Sequence, residues 1–125
     1  MKKILVLFAL LFAVPVFSQN KNENEILETV DKAATFEGGI SSFRNEFAKN
    51  FNINKVIGKG SFHTEITFIV ERDGTISNIK ATGENQSFNE QAIKAIKKIS
   101  TKWSPAKVKG TEVRSRFRFP STVNI

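Results

Sequence analysis

The chain has 125 residues, no cysteine, one histidine, and 19 Lys plus Arg against 12 Asp plus Glu. That length allows one compact domain and excludes a multi-domain enzyme, while 40% hydrophobic residues with 12 Phe suffice for a core and argue against global disorder. Without cysteine there is no disulfide framework, thiolate metal site or cysteine nucleophile, and one histidine excludes a His-rich cluster, so the composition points away from catalysis.

Met1-Lys2-Lys3 is a short basic start, followed by an apolar run from Ile4 to Phe17 that ends in Val16-Phe17-Ser18. This is the three-part layout of a secretory signal, with cleavage expected between Ser18 and Gln19. A retained anchor is the weaker reading, because the run is too short for the roughly 30 Å hydrocarbon core and Pro15 interrupts it. Lipidation at that junction would need a cysteine. The expected mature chain is exported and carries a net +5, unevenly placed: Gln19–Gly58 is −1 and Lys59–Ile125 is +6. In an exported protein such a charge suits anionic envelope polymers or acidic protein segments better than nucleic acid.

Gln19–Glu25 has nothing apolar and reads as a flexible tail. Ile26–Ala34 suits either a short helix or an extended approach to the domain. Gly38-Gly39 is a break. Beyond it, Ile40, Phe43, Phe47 and Phe51 recur at helical spacing, the stripe of an amphipathic helix. Asn52–Gly60 reads as loop. From Phe62 to Glu71 the period changes to two, a strand signal. Arg72-Asp73-Gly74-Thr75 is a hairpin turn, and Thr75–Ala81 returns with Ile76 and Ile79 three apart, which predicts a bulge.

Ser87-Phe88-Asn89-Glu90 fits a capping box, opening a helix with Ala92, Ile93, Ile96 and Ile99 on one face that ends at Trp103-Ser104-Pro105-Ala106. Lys107–Gly110 reads as a turn and Thr111–Phe119 as the last strand, stopped by Pro120. In that strand Val113, Ser115, Phe117 and Phe119 alternate with Glu112, Arg114, Arg116 and Arg118.

These elements predict an α+β fold in which two helices pack on one face of a small antiparallel three-stranded sheet. The last strand can lie parallel beside the second strand, or cross over to pair with the first. The crossover makes all neighbours antiparallel, follows the split β-α-β pattern and gives the order second, first, third. It leaves the Arg-rich strand at an open edge. The expected organisation is a leader at 1–18, a flexible segment at 19–35, a domain at 36–120 and a tail at 121–125.

Phe36-Glu37-Gly38-Gly39 with Phe43 and Phe47, Phe68-Ile69-Val70-Glu71-Arg72-Asp73-Gly74-Thr75-Ile76, Asn89-Glu90-Gln91-Ala92-Ile93, Trp103-Ser104-Pro105-Ala106 and Gly110-Thr111-Glu112-Val113-Arg114 occur in this order. Together they resemble the C-terminal domain of TonB, over about residues 29 to 120. The resemblance implies a non-catalytic periplasmic module, linked to transmembrane transport, that grips an extended segment of a TonB-dependent outer-membrane receptor or a related periplasmic protein by strand addition. No cofactor and no metal are expected from the residues themselves, since neither a ligand cluster nor a nucleophile–base pair can be assembled from the sequence. Complete members keep an N-terminal membrane helix and a long Pro-rich linker, whereas here the leader reads as cleavable and 17 Pro-free residues precede Phe36.

The expected partner-binding residues are Val113, Arg114, Ser115, Arg116, Phe117 and Arg118. A proline at Ser115 is expected to remove an edge N–H if that group faces outward, and an open edge also allows homodimers by edge pairing. The alternative function is binding of anionic envelope or cell-wall polymer through Lys94, Lys97, Lys98 and the three arginines. His63 reads as a surface side chain, Asp73 as turn chemistry, and Trp103 and the Phe stripe as core.

Overall fold

The computed structural model describes residues 25–125; the expected leader and the first part of the 19–35 segment lie outside the described residues. The elements in chain order are β1 (Ile26–Leu27), β2 (Thr35–Phe36), α1 (Gly39–Asn50), a 3-10 turn (Ile53–Lys55), β3 (Ser61–Val70), β4 (Ile76–Gly83), α2 (Gln86–Lys97), β5 (Trp103–Ser104), β6 (Ala106–Val108) and β7 (Thr111–Asn124).

The main sheet runs β1-β7-β3-β4, with β6 also paired to β7, while β2 and β5 form a separate two-stranded piece. β3 lies between β4 and β7 and is antiparallel to both. The sheet therefore has five strands rather than the expected three, and it is mixed rather than antiparallel, because β1 joins β7 in parallel. These extra strands are two and three residues long, too short for alternation to announce them; β1 is recruited by β7 from distant sequence, and β6 is the other arm of a hairpin with β7.

β7 continues four residues past the expected stop at Pro120, and Ser121–Asn124 pair with Ser61–Thr64. The segment expected to be a tail is thus part of the strand. At the other end, residues 25–35 are pinned: Asp31 and Lys32 N–H both donate to the Lys107 carbonyl, at 3.0 and 3.1 Å.

The hairpin and bulge follow the sequence. Asp73 Oδ1 accepts from the Thr75 N–H (3.0 Å) and hydroxyl (2.6 Å), fixing the turn. The β3–β4 register shifts between Thr67 and Ile69, where Asn78 takes φ 50°; asparagine tolerates that conformation.

α2 departs from its expectation at both ends. Its cap is Asn85, whose Oδ1 accepts from Phe88 N–H at 3.0 Å. Ser87 Oγ is engaged elsewhere, donating to Asn85 Oδ1 and accepting from Ile57 N–H at 2.8 Å. The helix ends at Lys97, six residues before Trp103, because Trp103 is claimed by other elements: it pairs with Phe36 and donates its N–H to the Gly74 carbonyl at 2.9 Å. Lys107 and Val108, expected in a turn, belong to β6; the turn is Lys109-Gly110, with φ 52° and 80°.

Both helices cover one face of the sheet. Phe43 and Phe47 of α1, Ala92, Ala95 and Ile96 of α2, and Ile66, Phe68, Val70 and Phe119 of the sheet form one core with Phe36 and Trp103. A smaller cluster joins Val56, Phe88 and Val123.

Candidate protein-docking edge

The direction in which each β7 residue points its backbone follows from one pair. Gly60 and Ile125 exchange both N–H···O=C bonds at 2.9 Å. Such pairs alternate along an antiparallel ladder, so the register from Ser61↔Asn124 to Val70↔Ser115 turns the N–H and C=O of Ser115, Phe117, Phe119, Ser121 and Val123 toward β3. Arg114, Arg116, Arg118, Pro120, Thr122 and Asn124 point theirs outward. Pro120 lacks only an outward donor, which is why the strand runs through it.

The same alternation sorts the side chains. Ser115, Phe119 and Val123 are buried on the helix side, and the three arginines lie on the opposite face. There they meet carboxylates. Arg114 makes a bidentate contact with Glu71, Nε to Oε1 at 2.7 Å and Nη2 to Oε2 at 3.1 Å. Arg116 Nε donates to Glu28 at 3.0 Å; Arg118 reaches Glu28 at 3.5 Å and Glu65 at 4.0 Å. Lys94 and Lys97 of α2 and Lys98 at its C-terminal cap are exposed, on the other side of the sheet. The basic groups therefore do not share one face.

The Arg114 guanidinium, aided by the Ser77 hydroxyl at 2.5 Å, holds the Glu71 carboxyl below its ordinary range. A lowered folded-state pKa contributes stability above the unfolded value, near 4.3, and loses it as pH falls through the folded value. Glu71→Gln is accordingly expected to cost about 1 kcal/mol at neutral pH. The gap from wild type should close below about pH 4, read by urea denaturation across pH.

The expected docking residues fall into two groups. Val113 pairs with Ala106 of β6, and Arg114 and Ser115 with Ile26 and Leu27 of β1. Beyond Ser115, no strand among the described residues pairs with the outer side of β7. Ser115 N–H faces β3, so a proline there would break the β3–β7 ladder rather than alter the edge. Phe117 likewise presents a half-buried side chain to the core and no outward backbone.

Sequence reasoning missed the apolar groove beside the C-terminal end of β7, about 370 Å³, lined by Phe47, Phe51, Ile53, Phe88 and Val123. Its signal was the sparse apolar Ile53 in a loop, 45% exposed in the structure. His63 is on the surface, its Nδ1 3.3 Å from Thr122 Oγ1. Among the described residues, no group of three or more His, Cys, Asp or Glu is placed to hold a metal ion, and no helix is long and apolar enough to cross a membrane.

Residues 63–122 match the family model described as Gram-negative bacterial TonB protein C-terminal, a span from the start of β3 to near the end of β7. No curated protein and no solved structure matches the chain.

Proposed function

Since residues 63–122 belong to the TonB C-terminal domain family, we propose that the chain is a periplasmic protein-binding module, linked to transmembrane transport, that takes an extended segment of a TonB-dependent outer-membrane receptor or a related periplasmic protein as an added strand on β7. The observation that carries this reading is the outer side of β7 past Ser115, where Arg118, Thr122 and Asn124 present N–H and C=O groups to no other strand among the described residues. Main-chain pairing gives sequence-tolerant affinity, and side chains at alternate positions supply specificity. On the helix side of an added strand, the groove beside Val123 and Phe51 accepts an apolar side chain; on the other side stand Arg116 and Arg118.

The anionic-polymer reading has less support. The arginines are matched by Glu71, Glu28 and Glu65, and the lysines of α2 lie across the sheet from them.

The test is Arg118→Pro, which deletes one outward donor and leaves the β3 ladder intact, beside Arg118→Ala, which removes the same charge and keeps the N–H. In capture from outer-membrane extract with the bound proteins identified, TonB-dependent receptors should be retained by wild type and Arg118→Ala and lost about two- to tenfold by Arg118→Pro, the loss of about one hydrogen bond between uncharged groups. Equal capture by folded Arg118→Pro overturns strand addition at this edge.

A further inference from the structure

The upper part of the same edge is already occupied by the chain itself. β1 lies in parallel against Arg114 and Ser115. Glu28, directly after it, reaches the side chains of Arg116 and Arg118. The segment is then tied at its far end, where Asp31 Oδ2 accepts from Lys109 N–H at 2.7 Å and Lys32 and Lys107 exchange backbone bonds at 3.1 and 2.9 Å.

We propose that Ile26–Lys32 is a displaceable strap, a resident strand that holds the docking edge until a partner segment replaces it. This rests on the strand-addition reading above and adds its regulation. The first argument is the arrangement of donors. Going down the edge, Arg114, Arg116 and Arg118 form a run of outward N–H groups that Pro120 interrupts. Because Leu27 stands opposite Ser115 in a parallel ladder, the outward N–H of Arg116 is turned to β1 as well, so a partner confined below the strap finds a single residue, Arg118, able both to donate and to accept before that gap. An unbroken ladder of ordinary strand length, roughly 5–6 residues, needs the positions that β1 holds.

The second argument is that the strap is built to leave. Its ladder is two residues long, and Ile26 and Leu27 are only half-buried. Its ion pairs are exposed, Glu28 at 57%, Arg116 at 32% and Arg118 at 53% of the side chain. Exposed pairs are weak and are screened by salt. The charge asymmetry of the sequence also finds a place here, since Glu28 and Asp31 come from the acidic part and dock on the basic one. A partner that replaces the strap inherits the two arginines and gains by placing a carboxylate against them.

The probe is a synthetic peptide of residues 25–32, Glu-Ile-Leu-Glu-Thr-Val-Asp-Lys, added to the full chain and to its Leu27→Pro variant, which cannot pair the strap without strain. A site blocked by its own strap loses apparent affinity by the fraction unblocked. The peptide should therefore bind Leu27→Pro at least about tenfold more tightly than wild type, and its binding should restore slow hydrogen exchange at the Arg116 amide. Equal binding by the two chains, or no binding by Leu27→Pro, overturns the strap. In the same variant, receptor capture should rise several-fold; a fall overturns displacement. Failure of strand addition itself reads differently: Arg118→Pro then captures receptors as well as wild type does, whatever the peptide result.

Discussion

Phe43→Ala is expected to destabilise the domain by about 3–5 kcal/mol, enough to unfold much of the population of a domain stable by about 5–15 kcal/mol. Phe43 has no exposed surface and sits at the point where every layer meets. Its ring lies 5.4 Å from Phe36, 5.2 Å from Trp103, 6.0 Å from Phe68, 5.9 Å from Phe117 and 5.0 Å from Phe119, most of them edge-to-face. Such contacts add about 0.5–1.5 kcal/mol per pair beyond burial. The neighbours come from β2, β3, β5 and β7 and cannot close the gap by one local shift. The urea midpoint should fall with an unchanged slope, and Phe43→Leu should recover more than half of the loss. A cost under about 1.5 kcal/mol would mean that the ring cluster repacks freely. Because Phe43 packs directly on Phe117 and Phe119, the variant also reports how far α1 holds β7 in place.

The parts of this fold that were legible in the sequence are those written in local periodicity. The stripe Ile40, Phe43, Phe47, Phe51 gives α1, the alternation from Phe62 gives β3, and Asp73-Gly74 with the Ile76, Ile79 spacing gives the hairpin and its bulge. The illegible parts are settled by residues far apart in the chain. Ser87 satisfies the capping pattern, yet Ile57 N–H occupies its hydroxyl and Asn85 caps instead. Trp103 looks like the end of a helix, and its pairing with Phe36 and Gly74 ends the helix earlier.

The proposed docking edge divides the same way. Its strand and its arginines could be read from alternation, but β1 pairs with a strand nearly ninety positions downstream. Which backbone groups face outward depends on the β3 register, which a side-chain pattern does not encode. Side-chain alternation alone therefore points to Ser115 for a proline, whereas the register makes Arg118 the informative position.

The second large effect lies at Gly74, where alanine is expected to cost about 2–5 kcal/mol, from the left-handed conformation and from a steric clash together. Gly74 has φ 87°, and a Cβ there would run into the Trp103 carbonyl oxygen, a backbone atom that cannot rotate away. Trp103 is also the donor to the Gly74 carbonyl, so the turn cannot retreat without breaking that bond and pulling Trp103 from Phe36 and Phe43. Gly110 is the control. It has φ 80° and nothing within 4 Å of its would-be Cβ, so Gly110→Ala carries the conformational cost alone, about 1 kcal/mol. The difference between the two variants, measured by urea denaturation, isolates the contact between the hairpin tip and Trp103. If both glycines cost the same, the hairpin does not bear on Trp103, and the ring cluster beneath β7 is positioned by the helices alone.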